Sequence, residues 1–536
     1  MIEISLNKIK KYFGNNKVLD DISFELKTGD IVSLIGDNGC GKSTILKIIK
    51  GIEKQDSGVC SIRKSSVIGY LDQTMEKDIY NKTVKDILYE NINNILDIEK
   101  QMNKLENKMN KNPNNISIIN KYLKVQEKYM KLGGYEINST IHKITHGFNI
   151  SHLLNNKFNV LSGGEQKRVL FAAIMIQKPD ILLLDEPTNY LDIITLEWFE
   201  DFLKGYTGTI LIVSHDRFFL DKVSNKTILI ENGKAIIFNG NYSYYLEENG
   251  NRIDKEFKDY QDQQRIVFSM KKKIKQLKEF GKLAYPGGES FFRRAENIRK
   301  RLERLELKEK PIKKSKIPFE LNDNKRSGKD ALIINNYNLL INNDVLISDI
   351  NLSVHYGDKV CITGNNGCGK SSLIKKIINN NSDNIKLGSN IIISYIPQNV
   401  TFDNDCTILE YAKKFYYVEE SHLRSALNKF YFNGEHVFKK VNSLSGGEKV
   451  RLKLYELMHS NGNFIIIDEP TNHIDIFTKE MLENALSEYD GTLLFVSHDR
   501  YFINKLANKV LYINDNKAKE FVGNYDDLKR YINNIV

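Results

Sequence analysis

Two kinds of apolar spacing run along the chain. Short continuous runs, IVSLIG at 31–36, ILLLD at 181–185, KVCITG at 359–364 and FIIID at 464–468, have the length and composition of strands buried on both faces of a parallel sheet. Elsewhere the apolar residues step by three or four. Ile98, Met102, Leu105 and Met109, then Ile118, Tyr122, Val125, Tyr129 and Leu132, flank an NKNPNN turn. One apolar stripe per arm predicts a helical hairpin at about 89–135. Ile266, Met270, Ile274 and Leu277, followed after a Pro-Gly-Gly turn by Phe291, Ala295, Ile298, Leu302 and Leu305, repeat that logic. Arms of roughly 25 and 20 residues reach on the order of 30–40 Å at 1.5 Å per residue. Each stripe can be buried only against its neighbour, so the arms are expected to zip into a protruding antiparallel pair. The alternative is a solvated spacer, which needs no second helix returning to its start.

The same ordered words occur twice. GDNGCGKST (36–44) is followed by Gln73, LSGGEQ (161–166), ILLLDEPTNYLD (181–192) and VSHDR (213–217); GNNGCGKSS (364–372) by Gln398, LSGGEK (444–449), FIIIDEPTNHID (464–475) and VSHDR (496–500). Leu161 to Asp185 and Leu444 to Asp468 are both 24 positions, and Glu186 to His215 and Glu469 to His498 both 29. The halves are copies. Gln73 to Leu161 spans 88 positions but Gln398 to Leu444 only 46, which places the hairpin at 89–135 as an insertion in the first copy. The expected organisation is a domain at 1–250, a helical linker at 251–315 with its tip at about 280–292, and a domain at 316–536.

Composition adds three things. No apolar run approaches the ~18 residues of a membrane span, and MIEISLNKIKKYFGNNKVL lacks the apolar core of a secretory signal. The five cysteines, Cys40, Cys60, Cys361, Cys368 and Cys406, contain no C-x-x-C pair, so a reduced, cytoplasmic chain without structural zinc is expected. The net charge of +10 is also localised: residues 252–314 hold 20 Lys and Arg against 10 Asp and Glu, the whole excess of the chain. Charge concentrated in one segment predicts a polyanionic partner.

The chemistry sits in the repeated words. GxxxxGK[ST] after a short apolar strand needs glycines because backbone N–H groups close on phosphate oxygens where a Cβ would intrude. The loops are Gly36, Asp37, Asn38, Gly39, Cys40, Gly41, Lys42, Ser43 and Thr44, and Gly364, Asn365, Asn366, Gly367, Cys368, Gly369, Lys370, Ser371 and Ser372. Lys42 and Lys370 are placed for β/γ phosphates, and Ser43 and Ser371 for Mg²⁺. Asp185 and Asp468 end buried strands, where a carboxylate holds Mg²⁺ through its water shell. Glu186 and Glu469 follow, placed to polarise an attacking water. His215 and His498, at equal offsets from the glutamates, are candidates to sense the γ-phosphate.

In duplicate, LSGGE, GxxxxGKS, DEPTN and SHDR resemble the ATP-binding-cassette superfamily, and with both cassettes in one chain its ABC-F class. The resemblance covers nearly the whole chain, including the insertion, which matches that class's Arm. It implies an α/β fold of two ABC-type nucleotide-binding domains, each a P-loop core with a helical signature subdomain, joined by an antiparallel α-helical hairpin. It implies ATP hydrolysis with two ATP and Mg²⁺, with Gln73 and Gln398 added to the Mg²⁺ set. It implies head-to-tail closure within a monomer: ATP on Lys42 capped by Ser445, Gly446, Gly447 and Glu448, ATP on Lys370 by Ser162, Gly163, Gly164 and Glu165. The adenine-stacking aromatic matches Phe13; the aligned position in the second half is about Ile341, which is not aromatic.

By the same resemblance the partner is the ribosome. The ATP-closed form binds the tRNA exit site, and the linker tip points at the peptidyl-transferase centre, near 23S rRNA and P-site tRNA. Lys271, Lys272, Lys273, Arg293, Arg294, Arg299, Lys300 and Arg301 are candidates for RNA phosphates, and Phe280, Tyr285, Phe291 and Phe292 for stacking on bases. Packing between the helix ends is the competing role for these aromatics. An antibiotic-resistance, ribosome-protection role is expected from the aromatic tip and from a chain ending soon after the second cassette. A housekeeping translation factor stands beside it. The ATPase subunit of a membrane transporter needs neither hairpin nor insertion, and DNA-repair ATPases with cassette halves carry zinc-binding cysteine pairs.

Overall fold

The computed structural model describes residues 1–71, 77–90, 92–111, 115–189, 191–284, 287–305, 328–341, 344–379, 382–402, 405–416, 418–460, 462–471 and 474–535. They form two compact units: Met1–Asn241 with Ile317–Val536, and Tyr242–Lys316.

In the first half of the larger unit the apolar runs become central strands. Among the described residues the sheet order is Ile68–Tyr70, Ile181–Asp185, Thr209–Val213, Ile31–Gly36, Lys226–Glu231 and Lys234–Phe238. All neighbours are parallel except the last pair. The continuous runs Leu182–Leu184 and Ile210–Val213 are buried, as strands covered on both faces must be. A second, antiparallel sheet of Asn16–Lys27, Ile2–Phe13 and Ser57–Ile62 alternates instead, burying Ile22, Phe24 and Leu26 and exposing the residues between. The helix Lys42–Lys50 lies between the sheets, packing Ile45, Leu46 and Ile49 against Ile4 and Leu19 on one side and Leu34 and Leu183 on the other.

The second half repeats this arrangement. Its helix Lys370–Asn379 packs into an equivalent core. One parallel pairing, Ser348 with Lys517, joins its two sheets into a nine-stranded one. Both halves also carry left-handed backbone at the same non-glycine positions, Asp21 and Asp349, Glu186 and Glu469, Asn232 and Asp515. Shared strain of this kind persists only where the surrounding fold over-determines it.

The insertion contains helices Asn93–Lys111 and Ile116–Lys131. Ile98, Met102 and Tyr129 form its small core with Tyr122 and Val125, while Leu132 is exposed. Asn115 caps the second helix by accepting from the Ser117 and Ile118 amides.

The smaller unit is a pair of helices, Tyr242–Leu283 and Glu289–Glu303. The first has 42 residues, about 63 Å at 1.5 Å per residue, longer than the expected arm. Val267 is buried, with Ile266 exposed. Val267, Met270, Ile274, Leu277 and Gly281 step alternately by three and four, which holds one seam toward the partner helix; Ala295 is buried opposite. Near the tip a Cβ on Gly288 would stand 2.1 Å from the Gly281 carbonyl oxygen, so the helices approach there at backbone distance. The Phe280 and Phe291 rings touch at 6.3 Å between centroids, and Phe292 lies over Gly281. Tyr285 lies outside the described residues.

Phe199 is fully buried, its ring 5.7 Å from Phe148 and 5.8 Å from Phe219. Trp198, the single tryptophan, touches the same cluster. Phe199→Ala is expected to cost about 3–5 kcal/mol. Denaturant titration followed by Trp198 fluorescence should show the transition at lower denaturant than in the parent protein.

Candidate nucleotide-hydrolysis site

Each phosphate loop joins a buried strand to a buried helix, and the join is made at glycine. Gly36 has φ of 153° and Gly364 of 155°. A Cβ would lie 2.6 Å from the Ile230 carbonyl oxygen in the first case and 2.2 Å from that of Ile513 in the second. Neither position admits a side chain. The loop then reverses into its helix, and Lys42 Nζ donates to the carbonyls of Gly36 and Asp37 at 2.8 and 3.0 Å. Lys370 donates likewise to Gly364 and Asn365 at 3.0 and 2.8 Å. Both ammonium groups are thereby held at the loop mouth.

A cleft of about 410 Å³ opens over the first loop, lined by Phe13, Val18, Asn38, Gly39, Gly41, Lys42, Ser43, Thr44, Asp185, Glu186, Asn189, Val213 and His215. Its size suits a small ligand. Cys40 and Cys368 turn into the hydrophobic cores, and burial raises both thiols.

The carboxylates follow from the strand ends. Ser371 Oγ donates to Asp468 Oδ1 at 3.0 Å. Burial pushes Asp185 and Asp468 up, opposed by hydrogen bonds from Ser43 and Ser371. Glu186 and Glu469 sit one residue on, with φ of 49° and 46°. Their amides still pair with Val213 and Val496 at 2.8 and 3.0 Å, so the strained backbone is held from the neighbouring strand. His215 Nε2 is 3.5 Å from Glu186 Oε1 and His498 Nε2 3.8 Å from Glu469 Oε1. Gln398 Nε2 donates to Glu469 Oε2 at 2.7 Å; Gln73 lies outside the described residues.

Burial pushes the Glu186 carboxyl up to about 7, with the Lys479 ammonium the strongest opposing influence. Burial pushes the His215 imidazole down to about 3, and His498 well below its ordinary value. Both histidines are therefore neutral near pH 7. His215 Nδ1, Glu186 Oε1 and both ring nitrogens of His498 are buried without a hydrogen-bond partner among the described residues. A loop of backbone amides with the Lys42 ammonium and a neutral, partnerless His215 ring nitrogen beside it fits a polar anionic ligand such as a nucleotide triphosphate.

The signature words are helix starts. Ser162 and Ser445 cap helices Gly163–Ile176 and Gly446–His459, and Glu165 and Glu448 reach back to the capping amides, both at 2.8 Å. LSGGE is thus also a capping box, with the two glycines opening the first turn. None of Ser162, Gly163, Gly164, Glu165, Ser445, Gly446, Gly447 or Glu448 lines the cleft over Lys42. The Arg451 guanidinium, on the second signature helix, feels the first loop's Asp37.

Lys479 went unnoticed in the sequence. It is buried, donates to Asp499 Oδ2 at 3.0 Å, and lines a cavity of about 40 Å³ with Glu186, His215 and His498. The corresponding residue of the first half is Leu196. A lysine on the apolar face of a helix, where the first half has a leucine, was the available signal.

Two P-loop cores of this architecture define a tandem ATP-binding-cassette ATPase. The family model described as ABC transporter matches residues 19–189 and 347–472, and a second of the same description matches 228–320. The chain is 37% identical to the ATP-binding protein YdiF of Bacillus subtilis, over 98% of this chain and 82% of that protein. It is 32% identical to ABC transporter F family member 5 of Arabidopsis thaliana, over 98% and 76%. With the energy-dependent translational throttle protein EttA of Escherichia coli it shares 30% identity over 96% and 92%. The crystal structure of archaeal ribosome recycling factor aABCE1 with ribosomal stalk protein aP1 has the same fold, at TM-score 0.62, 16% identity, 98% of this chain and 92% of that one. The chain belongs to the ABC-F family of tandem ABC ATPases. ABC ATPase domains bind ATP, typically with Mg²⁺. Among the described residues no helix is long and apolar enough to cross a membrane.

Phe13 is 47% exposed at the cleft rim. Stacking of a base on an aromatic ring is worth ~1–3 kcal/mol. With Lys370→Ala confining binding to the first cleft, Phe13→Ala should weaken ATP about tenfold by calorimetry, and Ile341→Ala should leave the affinity within about twofold.

Proposed function

We propose that this ATPase acts on the ribosome, holding one ATP in each cassette and closing around the pair. The observation that carries the reading is the combination of two nucleotide sites with a basic two-helix unit between them in the chain. Lys42 and Lys370 grip the β/γ phosphates. Ser43, Asp185 and Gln73, and Ser371, Asp468 and Gln398, are the residues that would hold Mg²⁺, which when bound neutralises charge on the phosphate oxygens. Glu186 and Glu469 accept a hydrogen bond from the attacking water, and neutral His215 and His498 donate to the γ-phosphate. Phe13 stacks on adenine.

The signature helices of each cassette complete the site of the other: Ser445 to Glu448 face ATP on Lys42, and Ser162 to Glu165 face ATP on Lys370. A helix N-terminus favours the γ-phosphate's charge, so ATP favours the closed form and hydrolysis releases it. The closed form binds the tRNA exit site. Lys271 to Lys273, Arg293 and Arg294 meet RNA phosphates, and the linker tip is directed at the peptidyl-transferase centre. Exposed Phe280 and Phe292 support a stacking role there. The names of relatives support the reading too: a translational throttle and a ribosome recycling factor.

Protection from antibiotics is the finer form of the proposal, resting on that aromatic tip. Regulation of translation without drug protection is the second reading, favoured by the identity to the throttle protein. Expression in a susceptible host separates them. Raised inhibitory concentrations for lincosamides, pleuromutilins, streptogramins A, phenicols or macrolides support protection, and no change for any of them defeats it.

Ribosome action is checked by sedimentation. Glu186→Gln with Glu469→Gln should co-sediment with ribosomes in ATP, weakening steeply as salt rises. A variant that stays at the top of the gradient in ATP at moderate salt would overturn the reading. Deleting 281–292 should preserve ATP hydrolysis while abolishing the cellular effect; equal loss of both would make the tip a folding element.

A further inference from the structure

The seam between the cassettes holds a twofold-repeated set of buried charges with no place in the nucleotide chemistry. Arg217 of the first cassette bonds to Glu483 of the second, and Arg500 of the second bonds to Glu200 of the first. Both glutamates and Arg500 are fully buried, and Arg217 is nearly so. The correspondence extends to the ring contacts. The Arg217 guanidinium lies 4.2 Å from the Tyr501 ring and that of Arg500 4.2 Å from the Phe218 ring. Each glutamate is also held by a lysine of its own cassette, Lys222 at 2.6 Å from Glu200 and Lys505 at 3.4 Å from Glu483.

Buried ion pairs add little net stability, because desolvation offsets the attraction, whereas breaking one by removing a partner leaves an uncompensated buried charge. Here the geometry leads to the histidines. Arg217 follows His215 by two residues, and Asp216 between them caps the helix Arg217–Val223 through the Phe219 amide at 2.9 Å. The Ser214 hydroxyl accepts from the Asp216 amide at 3.1 Å. Asp499 and Ser497 repeat this before Arg500. The turn bearing each histidine is thus hydrogen-bonded on both sides of it, and the arginine two residues on is bound to a glutamate of the other cassette.

We propose that Glu483 and Glu200 are positioning residues acting in trans, each setting, through the arginine it binds, the histidine of the opposite cassette's nucleotide site. The first site then depends on a residue of the second cassette, and the second site on a residue of the first. This rests on the reading above in which the two glutamates and two histidines serve hydrolysis.

The test uses the full chain with one site silenced at a time. Glu469→Gln leaves the first site and Glu186→Gln the second. Adding Glu483→Gln should lower kcat about tenfold when the first site is the active one, with KM for ATP within about twofold and a change below about twofold when the second site is active. Glu200→Gln should give the mirror image. Arg217→Met with Glu483→Gln should be no worse than Glu483→Gln alone, since both break one link. Lys505 and Lys222 remain beside the altered positions, and a thermal melt confirms folding; if Glu483→Gln does not fold, Arg217→Lys, which keeps the charge and loses the fork, takes its place. Equal losses at both sites, or no loss at either, would overturn the inference. Wild-type turnover by Glu186→Gln with Glu469→Gln would instead defeat the reading of the glutamates, and Lys42→Ala and Lys370→Ala then serve to silence the sites.

Discussion

The approach of the phosphate loop to its neighbouring strand at Gly36 and Gly364 is the constraint on which the rest depends. With φ near 155° and a strand carbonyl where a Cβ would stand, the chain turns from sheet to helix without leaving the core. That turn brings Lys42 and Lys370 to the loop mouth and aims the first-turn amides at one point. The flanking strands do the rest: Asp185 and Asp468 end on them, the glutamates bend off them in left-handed backbone, and the histidines follow the next strand over.

Charge in the larger unit is used in two ways. At the clefts, burial leaves neutral histidines and a raised Glu186 beside lysine ammonium groups. At the seam it is paired, arginine to glutamate to lysine, and stacked on rings. At the first cleft His215 Nδ1 and Glu186 Oε1 are buried without a protein partner among the described residues, beside the space a ligand would fill. The seam pairs fix how the two copies face each other. Lys479 breaks the symmetry, a buried cation where the first half has Leu196.

In the smaller unit the read stripe keeps Met270, Ile274 and Leu277 and differs only at its first residue. Val267, not Ile266, turns inward, because the seam of two packed helices follows alternating steps of three and four. The tip aromatics are shared between roles: Phe291 packs on Phe280, while Phe280 and Phe292 keep exposed surface. Arg299 is drawn into pairs with Glu296 and Glu303 on its own helix.

What the sequence determined by itself is everything local or repeated. The strands, the phosphate loops and the capping boxes within LSGGE arise from interactions a few residues apart, and the duplication is visible by comparing the halves. The tertiary structure alone decided which distant charges meet. Glu200 and Glu483 fall on the apolar stripes of their helices, beside Leu196, Phe199 and Leu203 and beside Leu482 and Leu486, yet nothing local names the arginine each meets, and Arg217 and Arg500 look like the trailing residue of a familiar word. No periodicity encodes a contact between residues more than 260 positions apart. Such a pair forms because two folded faces bury it together, and only their packing selects its partners.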